Sequence, residues 1–286
     1  MDLLIPLEYD YMITAMLVSS LVGGVCGFLS AFLMLKGWSL IGDALSHSIV
    51  PGVAGAYMLG LPFSIGAFFS GGLASSVMLF LNQRSKLKED TIIGLIFSSF
   101  FGIGLFMISI SPTSVDVQTI VLGNILAITP KDTIQLLLIS IISIVILLAK
   151  WKDFLVVFFD ENHSVTIGIN PALTKIAFFT ILSACTVAAL QTVGAFLVIA
   201  LVVTPGATAY LLSDKFEKVL ILSTIIGFAT CLLGAYLSFF INGSTGGVIV
   251  VLQAIIFCVI FLFAPKYGFI KAHRLRKHIL RPSNNV

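Results

Sequence analysis

Apolar residues gather along this chain in long runs separated by short polar joints. Nine runs, over residues 11–35, 39–59, 62–82, 91–110, 133–149, 175–190, 193–212, 219–241 and 248–265, have about the length an α-helix needs to cross a bilayer's hydrocarbon core. The stretch 115–129 is shorter and carries Gly123 and Asn124 at its middle. It is expected to be a partial or re-entrant helix. The pattern predicts an all-α fold: a polytopic transmembrane helical bundle of about eight to nine membrane helices plus the partial one.

Composition supports that solvent. The chain is 58% hydrophobic and only 10% charged, with mean hydropathy +1.12, whereas soluble domains carry about 25% charged residues. The start, MDLLIPLEYDY, is acidic and no small-residue cleavage site follows it, so no leader is expected to be removed and the first run stays as a helix. Cys26, Cys185, Cys231 and Cys258 lie in apolar runs without paired spacing, as small buried hydrophobes do.

Charge then orients the bundle. Of the sixteen Lys and Arg residues, Lys131 alone falls on one side. The others lie at Lys36, at 84–88, at 150–175, at 215–218 and in the C-terminal stretch. The positive-inside rule places that majority in the cytoplasm, with the N-terminus outside and the C-terminus cytoplasmic. Residues 1–270 read as one membrane domain with a cytoplasmic segment at 150–174, and 271–286 as a basic tail suited to anionic headgroups. Outer joints, at 59–62, 111–132, around Gln191 and at 242–247, are short. No GxxxxGKS-type phosphate loop occurs, so ATP hydrolysis is not expected of this chain.

Glycine and proline interrupt the runs. Gly23, Gly24 and Gly27 give the first helix a small-residue face for close packing. Pro51–Gly52 and Pro205–Gly206 are expected to break the second and seventh helices, which a membrane tolerates where the freed backbone faces protein or a polar path.

The sharpest chemical feature is SLIGDALSHSIVPG, residues 39–52. Asp43 and His47 are i and i+4, on one helix face and about 6 Å apart along its axis. An ionised carboxylate inside a membrane costs about 2.5–3.5 kcal/mol on insertion scales, so the pair should face protein and have a partner. A structural hydrogen bond, a proton relay and a cation site are all compatible with it, and Asp43 also suits a helix start. One carboxylate and one imidazole are too few for a selective metal site, but two chains meeting along this helix supply two of each. Such O and N donors suit Mn(II), Fe(II) or Zn(II), and with no thiolate near, Cu(I) is disfavoured. Asp116 and Gln118 near the outer mouth, Gln191 between spans, His163 in the cytoplasmic segment and His273 and His278 in the tail are weaker candidates for any such role.

Four motifs in order carry a family resemblance over most of the chain. GDALSHSIVPGVAGAYMLG (42–60) resembles the signature of bacterial ATP-binding-cassette permeases that import manganese, iron(II) or zinc. VLGNILAITPKD (121–132), FFDENHSVTIGIN (158–170) and VGAFLVIALVVTPGATAYLLS (193–213) resemble that family's segment before the mid-chain helix, its cytoplasmic coupling segment and a late helix with a Pro-Gly break. The resemblance implies a pair of permeases (a homodimer or two sister chains), two ATP-binding subunits, and an extracytoplasmic metal-binding protein. The bilayer is the remaining partner, and no nucleic acid is expected. It implies Asp43 and His47 as metal ligands, Phe159, Asp160, Gly168 and Asn170 as coupling residues, and Pro51, Gly52, Pro205 and Gly206 as gating breaks. Asn162 and Ser164 depart from the family's acidic residue and alanine. Pro51 is more typical of the manganese and iron branch than of the zinc branch.

The function expected is import of a divalent metal ion, Mn(II) and Fe(II) ahead of Zn(II), by alternating access, with the ion as substrate and no permanently bound cofactor. Capture favours neutral imidazole, because only that form ligates. A membrane metalloprotease would need a HExxH-like set, which is absent. An ATPase-independent secondary transporter is the alternative, and copurification of an ATPase subunit separates the two.

Overall fold

A computed structural model describes residues 4–38, 40–61, 63–110 and 130–264. The expected partial helix at 115–129, Asp116, Gln118, the tail with His273 and His278, and the side chain of Gln191 lie outside the described residues. Within them the secondary structure is entirely helical. After a 3-10 turn at Ile5–Glu8 come α1 (Asp10–Lys36), α2 (Ile41–Ser48), α3 (Val50–Met58), α4 (Phe63–Arg84), α5 (Glu89–Ile110), α6 (Pro130–Phe159), α7 (Glu161–Thr166), α8 (Pro171–Val193), α9 (Ala195–Leu212), α10 (Phe216–Ile241) and α11 (Thr245–Phe263). Seven of these, α1, α4, α5, α6, α8, α10 and α11, are long and apolar enough to span a membrane, and α9 is a shorter apolar helix.

α1 is the central post, packed most extensively on α10 and also on α9, α6 and α8. Its small-residue face does the packing: a Cβ on Gly23 would lie 2.4 Å from the Gly227 carbonyl oxygen, and one on Gly27 2.4 Å from that of Ser223. Only glycine permits these backbones to approach so closely. At the basic end of the bundle Phe32 is fully buried and meets Phe154, Phe158, Phe178 and Phe216 mostly edge-on, with centroids 4.9–6.1 Å apart. That arrangement is the one ring quadrupoles favour. Beside it Trp38 donates its indole N–H to Glu89, which also accepts from Asn82 at 3.2 Å. The starts and ends of α1, α4 and α5 are thereby joined at this end.

Three helix boundaries differ from the sequence expectation. The run expected to end at 149 continues to Phe159 in the 30-residue α6, about 45 Å long. Lys150 pairs with Asp153 at 2.9 Å, while Phe154, Val157 and Phe158 are buried, so the helix passes its first charges. The span 39–59, expected to break at Pro51–Gly52, is two short helices whose interruption falls slightly earlier, at Ile49. The expected break at Pro205–Gly206 is absent, because α9 runs through both residues.

Candidate metal site

The interruption in the second span positions the charged pair. Pro51 has no N–H, so the carbonyl of His47 loses its i+4 donor, and α2 stops at Ser48 while α3 begins at Val50. Ile49 keeps helical torsions, φ −75° and ψ −25°, so the chain direction is preserved. The neighbouring Ser48 carbonyl accepts the Ser70 hydroxyl of α4 at 2.7 Å, tying α2 to α4 at this point. Gly52 then packs on α4, where its Cβ would come within 2.1 Å of the Gly66 carbonyl oxygen.

On α2, Asp43 lies in the first turn and His47 in the last. His47 Nε2 stands 3.4 Å from Asp43 Oδ1, with 28% of the His47 and 44% of the Asp43 side chain exposed. Their neighbours turn inward: Ser46 and Ser48 hydroxyls donate back to the carbonyls of Gly42 and Ala44 at 2.8 and 2.6 Å. An O···N separation of 3.4 Å is about the edge of a tetrahedron with bonds of ~2.1 Å, the length of Zn–O and Zn–N bonds. That spacing suits a chelate as well as an ion pair. Among the described residues no group of three or more His, Cys, Asp or Glu that could hold a metal ion gathers in one place.

Two residues that the sequence did not single out complete the surroundings. Phe97 and Phe101 of α5 lie 5.2 and 5.3 Å from the His47 ring, centroid to centroid, at 76° and 78° to it. Their i, i+4 spacing was visible in the sequence, but α5 also carries outward phenylalanines such as Phe106, 66% exposed.

The residues that the resemblance assigns to coupling sit far along the chain from this pair, in a tight helical hairpin. Asp160 caps α7, accepting from the backbone N–H groups of Asn162 and His163 at 3.0 and 3.1 Å. Asn170 caps α8 by accepting from Ala172 and Leu173. Gly168 has φ +84°, and Gly168 and Ile169 donate back to the carbonyls of Val165 and Ser164, a left-handed helix stop suited to glycine. The nearly buried Lys175 pairs with Glu161 at 2.6 Å, locking α7 to α8. Phe159, by contrast, is 80% exposed, and Asn162 and His163 also face outward, whereas Ser164 is buried.

Pro205 and Gly206 are held by α1. The Ser30 hydroxyl accepts from the Gly206 N–H at 2.9 Å and donates to the Val203 carbonyl at 3.1 Å.

The Asp43–His47 pair thus lies on a short helix within a bundle of membrane-length helices, and comparison with known proteins decides the family. Residues 8–264 match the ABC 3 transport family. The chain belongs to that family. It is 59% identical to the "Chelated iron transport system membrane protein YfeC" of Yersinia pestis, over 98% of this chain and 95% of the relative. It is 43% identical to the "Manganese transport system membrane protein MntB" of Synechocystis sp., over 93% of this chain and 87% of the relative. A chain in the solved structure of PsaBC from Streptococcus pneumoniae in complex with Fab superposes with a TM-score of 0.81 at 32% identity, covering 93% of this chain and 96% of that one. This ABC 3 family member is thus a multi-pass membrane protein of an ABC transport system, placed in the bacterial cytoplasmic membrane.

Proposed function

We propose that this chain is the permease subunit of an ATP-driven importer that moves a divalent transition metal, Mn(II) or Fe(II) ahead of Zn(II), into the cytoplasm. The observation that carries this reading is the Asp43–His47 pair, 3.4 Å apart and with both side chains partly exposed at the protomer's surface. Two protomers apposed along α2 and α5 bring two carboxylates and two imidazoles to one ion. The α5 flank supports that apposition. Gly94, Ser98 and Gly102 recur there at i, i+4 and i+8 on the exposed side, with open space over both glycines, a spacing that lets helices approach closely. The iron and manganese named for the relatives favour those metals.

In this reading the chain crosses nine times, through α1, the α2–α3 pair, α4, α5, α6, α8, α9, α10 and α11. The N-terminus lies outside and the basic end in the cytoplasm. The end of α6 and the α7 hairpin then face a separate ATPase subunit. Exposed Phe159, with Val165 and Ile167, provides an apolar contact, and Asp160, Gly168 and Asn170 keep the hairpin rigid. An external binding protein delivers the ion, which exchanges its water for the Asp43 and His47 pairs. ATP-driven movement of the hairpin then opens the seam inward. Asp43→Ala and His47→Ala are each expected to abolish manganese and iron uptake in cells lacking other routes, with assembly onto the ATPase intact. Normal uptake by both variants overturns the ligand role.

A further inference from the structure

The geometry points to Phe97 and Phe101 as positioning residues for the metal-binding imidazole, an inference that rests on the reading of His47 as a ligand. The two rings lie one turn apart on α5, parallel within 5° and 6.0 Å apart. The His47 ring stands at nearly equal distance from both and nearly perpendicular to both, at 76° and 78°. A planar ring held at right angles to two parallel rings is restrained in its rotation about the Cβ–Cγ bond. That rotation is the freedom that would swing Nε2 away from Asp43 Oδ1. Metal-ligating histidines commonly fix ring orientation through a hydrogen bond from the second nitrogen, and none is present for the His47 side chain among the described bonds. Ring contacts with α5 take that place here.

The same two side chains also limit what the ion can bind. Neither carries a ligating atom, so on the α5 side they keep water and other donors away, and the pair is open toward the flank. Position and exclusion both act on binding of the ion rather than on the ATP-driven step. The inference therefore makes a split prediction about transport kinetics and a chemical prediction about which replacements rescue.

The test compares F97L/F101L with F97Y/F101Y in the assembled transporter, reading initial manganese uptake against concentration and Mn(II) binding directly. The leucine pair keeps apolar bulk but no ring; the tyrosine pair keeps both rings. Loss of an orienting contact typically costs about 10–100-fold in metal affinity. The leucine variant is expected to show a rise of that order in KM and in the Mn(II) dissociation constant, with the maximal rate within about twofold of the parent, and the tyrosine variant to restore KM. A leucine variant with parental KM and affinity would overturn the inference, as would equal loss in both variants or a fall in maximal rate with KM unchanged. His47→Ala, run alongside, separates the two claims. If it transports normally, the ligand reading fails. If it is inactive while the leucine pair behaves as the parent, the ligand reading stands and the positioning role does not.

Discussion

The same dipeptide, Pro-Gly, has different consequences at two places in this bundle. At Pro51–Gly52 the helix gives way at Ile49, whereas at Pro205–Gly206 it runs on unbroken. Both prolines remove an N–H, both glycines press against a neighbouring backbone, and both sites draw a serine from the adjacent helix. What differs is the neighbour. Ser30 comes from α1, which is buried along most of its length, and it bridges two backbone groups of α9 at once. Ser70 makes a single bond to α2, whose far side opens to the protomer's flank at Asp43 and His47. Proline supplies the opportunity for a break, and packing on all sides decides whether the helix takes it.

The largest effect that tests this contrast is steric. Gly52→Val and Gly206→Val each force a side chain into backbone 2.1 and 2.5 Å from the ideal Cβ position. Each should cost at least about 1–3 kcal/mol, the usual penalty of overpacking, measured as lost thermal stability in detergent. Retained stability in either would mean the helices do not meet so closely. Ser30→Ala should come next, near the upper end of about 0.6–1.7 kcal/mol for membrane hydrogen bonds, since it strands both the Gly206 N–H and the Val203 carbonyl. Ser70→Ala should cost less, about 0.6 kcal/mol. If Ser70→Ala proved the more damaging of the two, the account of why one helix holds and the other gives would be reversed.

The smallest expected change in stability, and the most informative for function, is Pro51→Ala. It returns an N–H to the His47 carbonyl and allows α2 and α3 to join. Melting temperature should hold or rise slightly while metal uptake slows. Unchanged uptake would make the interruption incidental to transport.

Much of the architecture was legible because the bilayer imposes a simple rule: backbone groups must be satisfied within the segment, so long apolar runs become helices. The runs over 11–35 and 219–241 became α1 and α10 within a few residues at each end. The i, i+4 spacing of Asp43 and His47 likewise translated directly into proximity, because both fall within the eight-residue α2. Longer-range pairings were not legible. Lys175 opened the apolar run 175–190 as one of the cytoplasmic-side charges, with no sign of a partner, yet it is nearly buried against Glu161, fourteen residues earlier. Lys150 and Lys152 looked like the end of a helix, but the apolar pattern resuming at Phe154 carries α6 onward into the aromatic cluster around Phe32. In a lipid-facing sequence a phenylalanine that seats a histidine has the same local signature as one that meets acyl chains. Phe97 and Phe101 emerged only from the three-dimensional arrangement.

The central claim is that the Asp43 and His47 side chains of two protomers hold the transported ion between them. Pulsed electron paramagnetic resonance of Mn(II) trapped in the assembled transporter reads this directly, because imidazole nitrogens in contact with the ion produce a characteristic coupling. The account predicts a nitrogen coupling from two histidines that disappears in His47→Ala. A bound manganese signal without nitrogen coupling, or one untouched by that substitution, would contradict it.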